Sequence, residues 1–242
     1  MIVADSIGFA GTHSIAGILG AVPGFDVVHG TQSFEQRGPI GTGSQTPDGF
    51  AESMVQAMRA GRRPIAVHTN FLPGAMKPAC ERRGIRYRLI ARDPVKQIES
   101  CYAWALKKTL DASPNMLVTS LKTSLNTVQS MNLAPTLPNV TYAFAVQHIC
   151  SFNLAALRQG AEVLRMEELL GDEQSFRTAF DVPVEAELEH FSGTPQHLAS
   201  HRSRPELDIV AAPARAVIRE RIRVGVPAPM VSLAEITEAL GY

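Results

Sequence analysis

The chain has little cysteine, no surplus of charge of either sign and no long unbroken apolar run, and each shortage closes off a class of protein. Its three cysteines, Cys80, Cys101 and Cys150, are odd in number and far apart in a sequence of 242 residues. That pattern argues against a disulfide framework or a zinc site and marks them as reduced core residues. Lys and Arg together number 23, as do Asp and Glu, so the formal net charge is zero. No global field draws the chain to nucleic acid or an anionic membrane, and any anion site has to be local. No basic stretch leads into an apolar segment at the start, and no run of about 18 apolar residues follows later. The expectation is a soluble, cytoplasmic protein without a membrane anchor. Internal repeats and low-complexity tracts are also missing.

What is present suits a substantial core: 45% of residues are hydrophobic and 19% charged. One α/β domain over 1–242 is expected. Strands are predicted at 1–7, 25–29, 64–68 and 86–91, and helices from about 12 to 19, 48 to 60, 74 to 83 and from Pro94 onward. This βαβαβαβα order predicts a three-layer parallel sheet flanked by helices, with ligands at the carboxyl ends of the strands. The polar segment from His29 to Asp48 is too long for a simple connector and reads as a substrate-side loop. From Asp111 to Asn139 an inserted helix is expected, with Leu117, Leu121, Leu125 and Val128 at near-helical spacing and Pro135 and Pro138 breaking it. Two readings of it stand, a lid or a surface helix that packs its Leu stripe on the core. A helix over 142–157 then leads to a strand at Val163, a further helix is predicted from Glu206 to Arg223, and Ser232-Leu233-Ala234-Glu235 is a capping-box signature.

The most informative stretch joins the Tyr87-to-Ala91 strand to a helix through Arg92-Asp93-Pro94. Asp93 sits where an N-cap is wanted, and Pro94 fits the first helical position, where no amide donor is required. Val95, Ile98, Tyr102 and Ala105 form the core stripe, which leaves Ser100 off it and able to turn toward a ligand. Near the N-terminus, Gly8-Phe9-Ala10-Gly11-Thr12-His13-Ser14 is a small-residue loop opening a helix. Glycines allow close backbone approach, and amides at a helix start present partial positive charge to an anion. A tight turn is the plain alternative for this loop, and an ordinary strand-to-helix turn with a surface Arg is the plain alternative for Arg92.

Arg92-Asp93-Pro94 followed by Ser100 resembles the 3′-phosphate-binding motif of the sulfotransferases that use 3′-phosphoadenosine 5′-phosphosulfate (PAPS). The Gly8-to-Ser14 loop resembles their 5′-phosphosulfate loop, with Gly11-Thr12 matching its Gly-Thr and Phe9 standing where the family has Lys or Arg. Val163 to Leu170 resembles a late family strand ending in Arg-Tyr-Glu-Asp-Leu, and the basic turn His201-Arg202-Ser203-Arg204-Pro205 a C-terminal loop that closes on the 3′-phosphate. The resemblance implies a P-loop-like sulfotransferase fold, PAPS as sulfonate donor with PAP as product, and an acceptor hydroxyl on a saccharide or small metabolite. It implies cofactor contacts from Gly8, Phe9, Ala10, Gly11, Thr12, His13, Ser14, Arg92 and Ser100, with Arg202 or Arg204 closing over them. It also implies a catalytic His at a strand end, for which His68 is the first choice and His29 and Glu35 are reserves. His13, Lys77 or another basic residue has to supply the charge that Phe9 lacks. Two rival readings are a non-catalytic nucleotide-binding protein of the same fold and a P-loop kinase; the loop holds no Gly-Lys-Ser/Thr for the latter.

Overall fold

The computed structural model describes residues 1–30, 45–111, 114–189, 191, 212–225 and 229–242. They fall into two compact units, one of residues 1–92 with 155–197 and one of residues 93–154 with 198–242.

The first unit is built on a five-stranded sheet: β1 (Ile2–Asp5), β2 (Phe25–His29), β3 (Arg63–Val67), β4 (Arg86–Ala91) and β5 (Glu162–Arg165). All neighbours are parallel and the order is β2-β3-β1-β4-β5. Helices α1 (Thr12–Gly20), α2 (Pro47–Arg59) and α3 (Pro73–Glu81) link the first four strands. After β1 the chain moves toward the β2 edge, and after β2 and β3 it moves back across the sheet. Right-handed crossovers therefore put α1 on one face and α2 and α3 on the other. The strand alternation agrees, because Ile2, Ala4, Ile65, Val67 and Ile90 join one buried cluster with Ile15, Ile18 and Leu19 of α1. On the other face α2 packs on β3 and α3, and α3 packs on β4. The alternating βα order and parallel sheet flanked by helices agree with the sequence reading.

The late strand is shorter than expected. Pairing with β4 stops at Ala91 opposite Arg165, so residues beyond Arg165 have no ladder to join. Met166–Gly171 instead forms a helix, with Glu167 and Glu168 favourably placed in its first turn. This helix and the next, Glu173–Phe180, add Met166, Leu169, Leu170, Phe176 and Phe180 to the α1-side core.

The second unit contains α4 (Pro94–Leu110), α5 (Pro114–Ser130) and most of α6 (Leu137–Arg158); with α7 (Met166–Gly171) and α8 (Glu173–Phe180) of the first unit, the chain-order numbering continues to α9 (Arg215–Arg221) and α10 (Leu233–Ala239). A short antiparallel pair joins β6 (Arg223–Val224) to β7 (Val231–Ser232). Asp93 caps α4 by accepting from the amides of Val95 and Lys96, and Ser232 with Glu235 forms the expected capping box. Pro138 lies in the first turn of α6 instead of merely ending the segment before it.

Two further expectations are corrected here. The buried stripe of α5 is Met116, Ser120, Ser124 and Val128, while Leu117 and Leu121 are exposed. The inward face is set by polar contacts: the Ser124 hydroxyl donates to Gln147 Oε1 at 2.5 Å, and Gln147 Nε2 donates to Thr127 at 3.1 Å. The helix expected over 206–223 is confined, among the described residues, to Arg215–Arg221. Pro213 disfavours helical backbone at Ala212, and Arg223 pairs in β6.

α6 has the length and composition of a membrane span, with a mean hydropathy of 1.3 over 18 residues, yet 72% of that window is buried. It is packed as a core helix. Cys80, Cys101 and Cys150 are buried and free, as read from their spacing, and burial pushes the Cys80 and Cys150 thiols up to about 12.

Candidate functional site

In the strand order β2-β3-β1-β4-β5, β1 and β4 are neighbours whose onward connections leave toward opposite edges. In open α/β sheets ligands bind at the carboxyl ends of such a strand pair. The loop after β1 and Arg92 after β4 both lie there, in the first unit.

The loop is left-handed at Gly8 (φ 99°), Phe9 (φ 62°) and Gly11 (φ 66°). A positive φ is an outlier for so bulky a residue as Phe9. Gly11 is the N-cap of α1 and has no side chain to cap with; the first helical bond runs from Ile15 N to Gly11 O at 3.1 Å. The amides of Thr12, His13 and Ser14 therefore have no carbonyl within the helix, and no acidic residue stands in its first turn. A Cβ at position 11 would come within 2.9 Å of Met166 Sδ, and with φ 66° the position favours glycine. Ser14 Oγ is buried and has no hydrogen-bond partner among the described residues. The Gly8 amide is already used, donating to Ser6 Oγ at 3.2 Å, and the Ala10 side chain belongs to the core cluster. Of the loop positions singled out in the sequence, Thr12 and Ser14 thus have amides without a carbonyl partner inside the helix, and Ser14 adds its hydroxyl.

Arg92 is drawn to this loop: its Nη1 donates to the Phe9 carbonyl at 3.1 Å. Lys77 is ion-paired with Glu81 one turn along α3. Ser100 is buried on α4 in the second unit, where Gln97 and Cys101 are also buried beside the Ile98, Tyr102 and Ala105 stripe. Glu35, Arg202 and Arg204 lie outside the described residues.

Three histidines meet at the carboxyl edge of the sheet. His13 opens α1, His29 ends β2, and His68 follows β3; ring centroids are 4.1 Å apart for His13 and His29 and 5.4 Å for His29 and His68. His68 Nδ1 lies 2.5 Å from the Ser6 carbonyl, which can only accept. Nδ1 is therefore the donor in the neutral ring, and the Nε2 lone pair is the available base. The backbone of His68 is left-handed, φ 60°. Gly30 makes room for it, since a Cβ there would sit 2.5 Å from His68 Cδ2.

His29 is a different kind of group. Its Nε2 is 3.0 Å from Thr12 Oγ1. Burial, then the nearby His13 and His68, lowers its pKa to about 3. So weak a base accepts little driving force from a hydroxyl proton at neutral pH, which sets His29 apart from the reserve role read in the sequence. A depressed His contributes stability that is complete above its unfolded pKa of 6.5 and is lost as pH falls toward 3. Discounted for partial exposure, the loss between pH 7.5 and 4.5 is about 1–2 kcal/mol, and urea midpoints should show a smaller acid-induced drop for His29→Gln than for wild type. Equal drops in the two proteins would refute the depressed value.

No family model, curated protein or solved structure matches the chain. The geometry of the edge stands alone, and one part of it was missed in the sequence. Asp5, fully buried at the end of β1, accepts from the Ser6 amide (3.1 Å), the Thr69 amide and hydroxyl (both 2.8 Å) and the Tyr87 hydroxyl (3.1 Å). It ties the end of β1 to the residue that follows His68 after β3 and to the side chain of Tyr87 in β4. The available signal was a lone carboxylate closing an apolar strand. Among the described residues no group of three or more His, Cys, Asp or Glu has the arrangement of a metal site.

Proposed function

We propose that the chain transfers a sulfonate group from PAPS to an acceptor hydroxyl on a saccharide or small metabolite, within a P-loop-like sulfotransferase fold. The observation that carries this reading is the juxtaposition, at the carboxyl ends of β1 and β4, of an uncapped helix start, Arg92 tethered to its loop, and His68, whose Nδ1 is held by the Ser6 carbonyl so that Nε2 carries the lone pair. PAPS supplies the sulfonate; the sulfur–oxygen bond to the phosphate breaks as the acceptor oxygen bonds to sulfur. The amides at the start of α1 suit the phosphosulfate, and the buried Ser14 Oγ, without a hydrogen-bond partner among the described residues, is a further donor. Arg92 supplies positive charge beside the loop. His68 Nε2 takes the acceptor proton while the Ser6 carbonyl holds its Nδ1–H in place.

A second reading, a nucleotide-binding protein without turnover, is favoured by Phe9 at the loop position where the family has a cation and by the pairing of Lys77 with Glu81. Thermal shift assays separate these readings from a kinase. A ligand that binds only the folded state raises the melting temperature. PAP is expected to stabilise the protein well above ATP with magnesium, and Arg92→Ala to weaken PAP by about 1.5–3 kcal/mol. Equal shifts from both nucleotides, or none from PAP, would remove the assignment; bound PAPS that is never converted to PAP in the presence of acceptors would leave the binding reading.

A further inference from the structure

We propose that His29 is a positioning residue for the loop: its Nε2–H donates to Thr12 Oγ1 and so commits the Thr12 hydroxyl hydrogen to an oxyanion bound at the start of α1. The inference rests on the reading of that helix start as an anion site.

The argument turns on which ring nitrogen holds the proton. His29 Nε2 and Thr12 Oγ1 are 3.0 Å apart, and either atom can be the donor. His29 Nδ1 is buried and has no hydrogen-bond partner among the described residues. If the proton sat on Nδ1, an N–H would be buried with nothing to receive it, the arrangement folded proteins avoid most strongly. With the proton on Nε2, only a lone pair is left bare. The doubly protonated ring is excluded at neutral pH, because burial and the neighbouring His13 and His68 hold His29 far below the usual range.

Once Nε2–H donates, Thr12 Oγ1 has accepted one bond and keeps its own hydrogen to give. Thr12 is 4% exposed and occupies the first position of α1, where an amide has no carbonyl partner within the helix. With Nε2–H pointing at Oγ1, the Thr12 hydroxyl hydrogen cannot be spent on His29 and is turned away from it, toward the start of α1. The partner that takes this hydrogen best is an atom that accepts without donating, an oxygen of phosphate or sulfate. Without a donor at position 29 the same hydroxyl could rotate and give its hydrogen elsewhere, and His29 limits that freedom. The residue acts through Thr12 and touches no ligand itself.

The test combines a tautomer readout with a double-mutant cycle. In nitrogen-15 NMR of the wild type, His29, assigned by comparison with His29→Gln, is expected to show a pyrrole-like Nε2 and a pyridine-like Nδ1. PAP titrations are expected to give His29→Gln within about threefold of wild type, since glutamine Nε2 can donate from the same position. His29→Leu and Thr12→Val should each weaken PAP about tenfold, the scale of one lost hydrogen bond, and the double variant should be no weaker than either alone. A pyridine-like Nε2, or losses that multiply in the double variant, would overturn the proposal. If His29→Leu does not fold, Thr12→Ser against Thr12→Val decides alongside the tautomer: serine should keep affinity that valine loses, and equal loss overturns the proposal. Inorganic pyrophosphate is titrated in parallel. Binding of pyrophosphate with this pattern but not of PAP would end the PAPS reading and support the proposal, whereas binding of neither ends both.

Discussion

Replacing His68 with alanine is expected to lower sulfonate transfer by about two to four orders of magnitude while leaving PAP affinity nearly unchanged. The expectation follows from the tautomer. Nδ1 is held by the Ser6 carbonyl at 2.5 Å, so the lone pair that accepts a proton is fixed on Nε2, and the ring cannot turn without losing that bond. The left-handed backbone of His68 is strain that the surrounding structure maintains, through the Gly30 clearance and the Thr69 anchor to Asp5. Such strain collects at functional sites. Alanine at φ 60° is itself disfavoured, so His68→Asn is the better partner variant, because asparagine tolerates that conformation. It should match alanine in lost turnover and exceed it in melting temperature. Unchanged turnover in both would pass the role of base to Glu35. Loss of PAP affinity together with melting temperature in both would make His68 a structural residue.

The second large effect belongs to Asp5. Asp5→Ala leaves two amides and two hydroxyls buried without their acceptor, and about 3–5 kcal/mol of stability should be lost in urea unfolding. That is a large share of the 5–15 kcal/mol typical of a folded domain. The hydroxyls of Thr69 and Tyr87 can rotate in search of other partners; the amides of Ser6 and Thr69 cannot. Asp5→Asn should therefore cost only about 1 kcal/mol, since its carbonyl oxygen can serve both amides and its NH₂ can face hydroxyls turned to accept. Burial raises the Asp5 pKa above its ordinary 3.8, against the opposing hydrogen bonds from Thr69. A carboxyl raised in the folded state costs stability as pH climbs from 3.8 through its folded value, so the advantage of Asp over Asn should shrink on going from acid to neutral pH. A loss under 1 kcal/mol for Asp5→Ala, or an Asn variant as damaged as the Ala variant, would show that the four hydrogen bonds do not hold these segments together.

The cost of these substitutions traces to contacts between residues far apart in the chain, and this is where reading the sequence stopped short. Asp5 meets Thr69 and Tyr87 across 64 and 82 residues. Nothing local to any of the three announces the meeting. The same holds for Arg92: its motif identified the residue, but only the neighbouring of β1 and β4 brings its guanidinium to the Phe9 carbonyl. Phe9 was read as a missing cation, whereas its contribution in the fold is a backbone carbonyl and a left-handed turn.

Features set within a few residues were determined by the sequence alone. Strand β2 spans the expected Phe25–His29, Asp93 and Pro94 start α4, and Ser232 with Glu235 starts α10, because caps and turns are satisfied by groups a few residues away. The alternation of strands and helices likewise dictated a parallel sheet, since parallel neighbours need crossovers of that length. Tertiary structure decided the rest. Periodicity showed that α5 has a repeating face, yet the buried face is rotated one residue from the leucines because Gln147 offers partners to Ser124 and Thr127. Sequence preference allowed β5 to run on, and the end of β4 stopped it at Arg165. In the sequence His29 and His68 lay at strand ends and His13 at a helix start; only the order of strands set His29 between the other two rings and against Thr12, and tied His68 Nδ1 to the Ser6 carbonyl, because contacts across the sheet edge depend on which strands are adjacent.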